Sequence, residues 1–250
     1  MQTETIQPTP GFLEEAAALG IEFEPGEVEK LGRYLALLLE TNKTHNLTAV
    51  TEHAEAWRRH VLDSLTLVAV ISDAANQPGG DSGEKSAFSV IDVGSGGGLP
   101  GVPLAIVMPR VSFTLLEATG KKADFLKQVV ADLGLKNARV VQQRAERAGR
   151  MEEHREHYDA AVARAVGPMA VISELCVPLV KVGGSVLLIK GQKAEEELAA
   201  AKKALHMLHA VHAGTVETPT GRIVVLDKPR KTPAAYPRVD GEPKRAPLGT

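Results

Sequence analysis

From Val90 to Gly101 the chain reads Val-Ile-Asp-Val-Gly-Ser-Gly-Gly-Gly-Leu-Pro-Gly, a β-branched stretch that breaks into a glycine-rich loop. Glycine lets a backbone pass close to a ligand and adopt dihedral angles that a Cβ forbids. A loop of this kind, set where a strand turns toward a helix, opens a crevice for a small molecule. The spacing Gly96-x-Gly98-x-x-Gly101 also satisfies the dinucleotide fingerprint. The neighbouring acids separate the ligands. Asp92 lies two positions before Gly94. A carboxylate there suits a ligand with a cationic amino-acid end and repels a pyrophosphate in a partly desolvated cleft. Glu117 closes the next β-branched run, placed to accept both hydroxyls of an adenosine ribose, although dinucleotide enzymes carry such an acid too. Ala145-Glu146 and Arg164 follow the third and fourth runs. The set favours S-adenosyl-L-methionine over NAD, with an NAD-dependent oxidoreductase as the competing reading.

Other constellations carry less. No nucleophile and base stand at a convincing spacing. His206-x-x-His209-x-x-His212 has the look of a metal site. On one continuous helix, however, six positions turn through about 600°, so the outer pair diverge by roughly a third of a turn. The expectation is a partly exposed helix surface and no metal. His154 and His157 lack a third ligand. The single cysteine, Cys176, excludes a disulfide framework and a cysteine-based zinc site, and reads as a small buried apolar residue.

These groups need a scaffold, and the chain can supply one. Its 250 residues are 44% hydrophobic and 24% charged, enough to bury a core and to exclude disorder as the main state. Short β-branched runs alternate with amphipathic helices, the pattern of a parallel sheet with crossover helices. The strands are expected at Phe88–Val93, Val111–Leu116, Ala138–Gln142, Ala160–Ala163, Ser185–Ile189 and Arg222–Leu226. Thr119 opens a helix striped by Leu126, Val129, Val130 and Leu133 and stopped at Gly134, and Leu198, Ala201, Leu205 and Leu208 mark another. Ahead of the sheet, Val28, Leu31, Leu35 and Leu38, then Trp57, Val61, Leu65 and Val68, recur at helical spacing. This divides the chain into a helical N-terminal extension (1–75), a linker (76–87) drawn from the Gly, Ser, Asn and Pro content after Asp73, an α/β domain (88–228) and a basic, proline-rich tail (229–250). From Pro229 the tail is expected to run in extended form over the surface.

Charge is segregated along the chain. The formal net charge of −2 does not by itself attract a polyanion, so any nucleic-acid footprint must be local. Residues 1–50 hold eight acids against three bases, a net of −5, whereas residues 222–250 hold seven bases against three acids, a net of +4. The basic end, including Arg222, Lys231 and Arg238, can track a phosphate backbone. Arg58, Arg59 and His60 form a smaller cluster and Lys121-Lys122 a third, with solvated surface charge as the alternative. Arg59, His60 and Asp63 have a second reading, a buried lock between the extension and the sheet. The chain opens on no basic segment with an apolar run, and its longest apolar stretches, such as Leu35–Leu39 and Val186–Ile189, are too short for a bilayer. A soluble, cytoplasmic chain is expected, without membrane or metal. Mixed charge without heptads suggests a monomer.

Taken together the motifs resemble the bacterial 16S ribosomal RNA guanine-N7 methyltransferase family, also called glucose-inhibited division protein B or methyltransferase G. The resemblance rests on His45-Asn-Leu-Thr48, Arg59-His-Val-Leu-Asp63-Ser64, Asp92 to Gly101, Leu116-Glu117, Arg144-Ala-Glu146, Val162-Ala-Arg164-Ala165, Lys190-Gly191 and Tyr236-Pro-Arg238, in the expected order. His45 stands where the family more often has asparagine. The resemblance implies a class I S-adenosylmethionine-dependent methyltransferase, a Rossmann-like, mostly parallel seven-stranded sheet behind the helical extension. It implies methyl transfer to N7 of a guanine in 16S rRNA of the small ribosomal subunit. By similarity, Gly94, Gly96 and Leu99 border the cofactor, Glu117, Ala118 and Thr119 its ribose and adenine, and Ala145 and Glu146 the base. Arg164 is then expected at the mouth as a donor to guanine O6. N7 carries an in-plane lone pair, so no general base is needed, and positioning dominates. A non-catalytic ribosome-associated binding protein is the remaining alternative.

Overall fold

Alternation of side chains along each strand organises the molecule. The computed structural model describes residues 4–76 and 87–249. Its strands are β1 (Ser89–Val93), β2 (Ser112–Glu117), β3 (Ala138–Gln142), β4 (Tyr158–Arg164), β5 (Val180–Lys190), β6 (Val211–Thr218) and β7 (Gly221–Asp227). They form one seven-stranded sheet in the order β3-β2-β1-β4-β5-β7-β6. β1 to β5 are parallel, and β7 runs antiparallel to both β5 and β6. Consecutive strands go outward in one direction from β1 and then resume at β4 on its other side. The carboxyl ends of β1 and β4 therefore flank the switch point where open α/β sheets bind ligands.

Val90, Phe113, Leu115, Val162 and Leu187 point to one buried face, Ile91, Val93, Leu116, Ala163 and Leu188 to the other. The first face is covered by α6 (Gly101–Val107), α7 (Gly120–Asp132) and the N-terminal helices. These are α1 (Pro10–Ala18), α2 (Glu27–His45), α3 (His53–Ala56), α4 (Asp63–Leu65) and α5 (Leu67–Asn76). Leu31, Tyr34, Leu35, Leu38 and Trp57 are fully buried in the same core as the strands, each contributing roughly 1.5–3 kcal/mol of burial. The extension is thus a layer of the α/β core. The opposite face takes α9 (Met169–Cys176) and α11 (Lys202–Leu208), with α8 (Ala145–Ala148) and α10 (Ala194–Ala200) near its edges. Cys176 is buried among these apolar residues, as expected.

Several elements differ from the sequence reading. The stretch around Trp57 is not a uniform α-helix. Trp57–Leu62 is a π-helix in which the Asp63 N–H donates to Arg58 O, five residues back. Helix α5 continues to Asn76, past the Asp73 start of the loop, and the linker 76–87 lies apart from its two ends outside the described residues. The helical reading of the histidine triplet is corrected as well. His209 adopts the left-handed conformation (φ 61°) and caps α11 after Leu208, so His212 sits on β6, a strand the periodicity missed. β6 is an edge strand with little burial, so no apolar alternation announced it. The chain end is packed rather than draped over the surface. It includes α12 (Glu242–Arg245), and Leu248 is buried.

Candidate functional site

At the end of β1 the backbone turns through Gly94 (φ 74°), whose N–H donates to Leu116 O at 2.9 Å. The positive φ and the contact a Cβ would make with Val166 explain the glycine. Glu117, at the end of β2, pins the loop: Oε2 accepts the Gly96 N–H at 2.9 Å and Oε1 the Thr119 N–H at 2.7 Å. Tyr34 of α2 closes the loop from behind, donating its hydroxyl to Gly97 O at 2.8 Å. No sequence signal marked Tyr34, because its partner lies 63 positions away.

Asp92 is fully buried beneath this loop. Its Oδ2 accepts the Gly101 N–H at 3.0 Å, while Oδ1 has no partner. Burial pushes its pKa up to about 7 against the opposing pull of the Gly101 N–H. Oδ1 is closed off from solvent, so Asp92 lies beneath the glycine loop and not on an open surface.

Beside the loop, between the ends of β1, β2 and β3, lies a crevice of about 220 Å³. Gly94, Glu117, Ala118, Ala145 and Glu146 line it together. Gly96 and Thr119 border it through their bonds to Glu117. Leu99 packs instead into the core below the loop. Val166, Val171 and Leu175 form the apolar wall, and Gly241, Pro243 and Lys244 of the chain end complete it, a contribution absent from the sequence reading.

Arg164, at the end of β4, sits under the N-terminal helices rather than in the crevice wall. Its Nη1 donates to Arg59 O at 2.5 Å and to Asp63 Oδ2 at 3.0 Å, and Nη2 lies 3.4 Å from His60 Nδ1. Asp63 Oδ1 also accepts the Thr220 hydroxyl from the β6–β7 turn at 2.5 Å, and His60 Nε2 meets Thr48 Oγ1 at 2.8 Å. The π-turn brings the Arg59 carbonyl and Asp63 to the same guanidinium. Burial and the Arg164 charge push the His60 pKa down to about 4, so the ring is neutral at pH 7. Of the three residues expected to lock the extension to the sheet, His60 and Asp63 meet Arg164 with their side chains, whereas Arg59 does so only with its carbonyl and keeps its side chain exposed.

The remaining sequence candidates are dispersed. Arg222 is held by Glu217 Oε1 at 2.7 Å and by Gln192 O at 3.1 Å. Arg238 forms an ion pair with Glu174. The exposed Lys231 accepts a hydrogen bond from His209 Nδ1 at its carbonyl; among the described residues neither its ammonium nor the exposed Arg59 side chain has an acidic partner. Among the described residues, no group of three or more His, Cys, Asp or Glu could hold a metal, and no helix is long and apolar enough to cross a membrane.

A family model described as rRNA small subunit methyltransferase G matches residues 27–224. The chain belongs to that family. A ribosomal RNA small subunit methyltransferase G from Sorangium cellulosum is 46% identical over 232 residues, covering 93% of this chain and 92% of the relative. Its counterpart from Alkaliphilus metalliredigens is 38% identical over 236 residues, covering 92% and 94%. Among solved structures, a putative S-adenosyl-L-methionine-dependent methyltransferase from Methanococcus maripaludis superposes with a TM-score of 0.55 at 15% identity, covering 84% of this chain and 98% of that one. A putative O-methyltransferase from Klebsiella pneumoniae gives 0.53 at 11% identity, covering 87% and 97%. These likenesses establish the fold, a class I Rossmann-like methyltransferase sheet. Neither the dinucleotide reading of the glycine spacing nor the non-catalytic one gains support from family or fold.

Proposed function

We propose that this chain transfers the methyl group of S-adenosyl-L-methionine to N7 of a guanine in 16S rRNA of the small ribosomal subunit. Membership of the methyltransferase G family over residues 27–224 carries the reading. The residues at the switch point fit the cofactor. Asp92, buried under the loop and outside the crevice lining, would favour the cationic amino-acid end through its negative charge without touching it, with Gly94 and Gly96 shaping the loop and Leu99 packed beneath it. Glu117 spends two acceptor sites on Gly96 and Thr119, and a carboxylate has about four, so two remain for the ribose hydroxyls. Ala118 and Thr119 would border the ribose and adenine, Ala145 and Glu146 the base.

When bound, S-adenosyl-L-methionine supplies an electrophilic methyl on a sulfonium centre. The protein then has little covalent chemistry to do. Guanine N7 needs no deprotonation, and holding the nucleophile in line with the methyl carbon and sulfur can supply on the order of 7–11 kcal/mol. Arg164 would hold the base. Three of its five N–H groups are engaged by Arg59, Asp63 and His60, which fixes the guanidinium and leaves two donors for guanine O6. Phosphate contact is proposed for Arg59 and Lys231, whose charged ends meet no acid among the described residues; Arg222 and Arg238 are paired, and His60 is buried. The proposal extends to a monomer without metal acting in the cytoplasm. Incubation with a labelled methyl donor and undermethylated small subunits, followed by nucleoside mass spectrometry, tests it. Label in 7-methylguanosine of 16S rRNA is expected, and label in any other nucleoside or none at all overturns it.

A further inference from the structure

Beyond β7 the chain has five prolines and only one short helix, yet it is fastened down along its length. Arg155 donates to Thr232 O at 2.9 Å and Tyr236 O at 2.7 Å, and Arg150 to Pro237 O at 2.7 Å. Arg238 then forks onto Glu174, Nε to Oε1 at 2.9 Å and Nη2 to Oε2 at 2.7 Å, with its backbone N–H on Oε1 at 2.8 Å. Two residues on, Asp240 accepts Arg147 Nε at 2.8 Å, and the Gly241 N–H donates to Glu146 Oε1 at 2.8 Å. Gly241, Pro243 and Lys244 thereby become one side of the crevice that Glu117 and Ala118 line from the sheet.

The placing of Glu174 is informative. It is fully buried in helix α9, whose other residues are apolar apart from Ser173, and the next residue, Leu175, lines the same crevice. As a stabiliser, a buried ion pair offers little that an apolar pair of equal volume would not. A bidentate arginine–carboxylate fork does fix direction as well as distance. Here it fixes the point at which the chain end crosses from the surface into the crevice wall. Of the seven basic residues in the last 29, Arg222, Lys228 and Arg238 are used up on Glu217, Glu156 and Glu174.

We infer that the Arg238–Glu174 fork is a positioning device for S-adenosylmethionine, holding residues 240–244 as the wall on the adenosine side of the crevice, so that this part of the tail serves the cofactor and not the RNA. Arg238 and Glu174 act through Glu146, Gly241 and Pro243. The inference rests on the reading that the crevice binds this cofactor.

The test compares wild type, Arg238→Ala and Arg238→Lys by calorimetric titration with S-adenosylhomocysteine and by steady-state methylation of small subunits. Arg238→Ala is expected to raise Kd and the KM for S-adenosylmethionine at least tenfold, with the KM for small subunits within twofold of wild type and kcat largely recovered at saturating cofactor. Lysine keeps the charge but not the fork, so Arg238→Lys recovers only part of the loss. In wild type, S-adenosylhomocysteine is expected to slow hydrogen exchange at residues 238–244. An unchanged Kd in Arg238→Ala overturns the inference, as does a rise confined to the KM for small subunits, which would put the tail on RNA. Should Arg238→Ala not fold, unchanged exchange at 238–244 in ligand-saturated wild type overturns it equally. Wild type that binds no S-adenosylhomocysteine sinks the reading of the crevice itself.

Discussion

The anchor of Arg164 gives the sharpest quantitative expectation. Asp63 Oδ2 stands 3.0 Å from Arg164 Nη1, and the two side chains are only 10% and 17% exposed, so the pair behaves as a buried one rather than as a screened surface bridge. Asp63 also accepts the Thr220 hydroxyl. Asp63→Asn removes the charge, leaves one carbonyl oxygen for two donors, and turns an N–H₂ group toward one of them. Loss of a charge-assisted hydrogen bond in such a site costs about 2 kcal/mol of stability, well short of unfolding a domain of ordinary stability. The Arg59 carbonyl still holds Nη1, so the guanidinium stays near but is free to shift. Misplacement of a positioning group by about 1 Å costs on the order of 100-fold in rate. Single-turnover methylation of small subunits at saturating cofactor should therefore slow about 100-fold, while the Kd for S-adenosylhomocysteine holds within twofold. A wild-type single-turnover rate would refute the argument. So would a loss appearing equally in cofactor affinity, since Asp63 would then be acting on the whole fold.

Other perturbations have equally definite outcomes. The raised pKa of Asp92 means that the folded state binds a proton more readily than the unfolded one between about pH 4 and 7. This residue's contribution to stability therefore falls as pH rises through that window, by at most about 4 kcal/mol. Asp92→Asn should accordingly melt higher than wild type at pH 8 but bind S-adenosylhomocysteine at least tenfold more weakly, as differential scanning fluorimetry and calorimetry would show. His60, whose pKa is depressed, works in the opposite sense: its stabilising contribution is lost as pH falls from 6.5 toward 4, so His60→Gln should flatten the acid limb of the melting curve. Glu117→Gln leaves one acceptor for the Gly96 and Thr119 N–H groups, and a Kd increase of roughly 30-fold is expected. Replacing Arg59 and Lys231 together by alanine should reduce the slope of log affinity for small subunits against log salt by about 1–2, measured by filter binding.

How much of this was legible in the chain depends on the range of the interactions. The glycine loop, Glu117 and the five parallel strands follow from local patterns, short β-branched runs between amphipathic helices, and each strand overlaps its expected stretch, with β5 starting five residues earlier at Val180. β6 left no such pattern because an edge strand buries little, and His209 ended α11 through a left-handed residue that histidine adopts only at a cost. The π-turn at Trp57–Leu62 preserves composition and spacing while shifting which carbonyl is free, so the lock on Arg164 was visible only as a list of polar residues. Tyr236-Pro-Arg238 stood out as a motif, but its meaning lies in Glu174, 64 positions away in a mostly apolar helix where a lone acid carries no periodic signal.

A crystal structure with S-adenosylhomocysteine bound addresses the central claim most directly. The ribose hydroxyls should be found on Glu117, with the adenine between Ala145-Glu146 and Gly241-Pro243 and the sulfur directed toward Arg164. Ligand density outside this crevice, or a ribose with no contact to Glu117, would contradict the account.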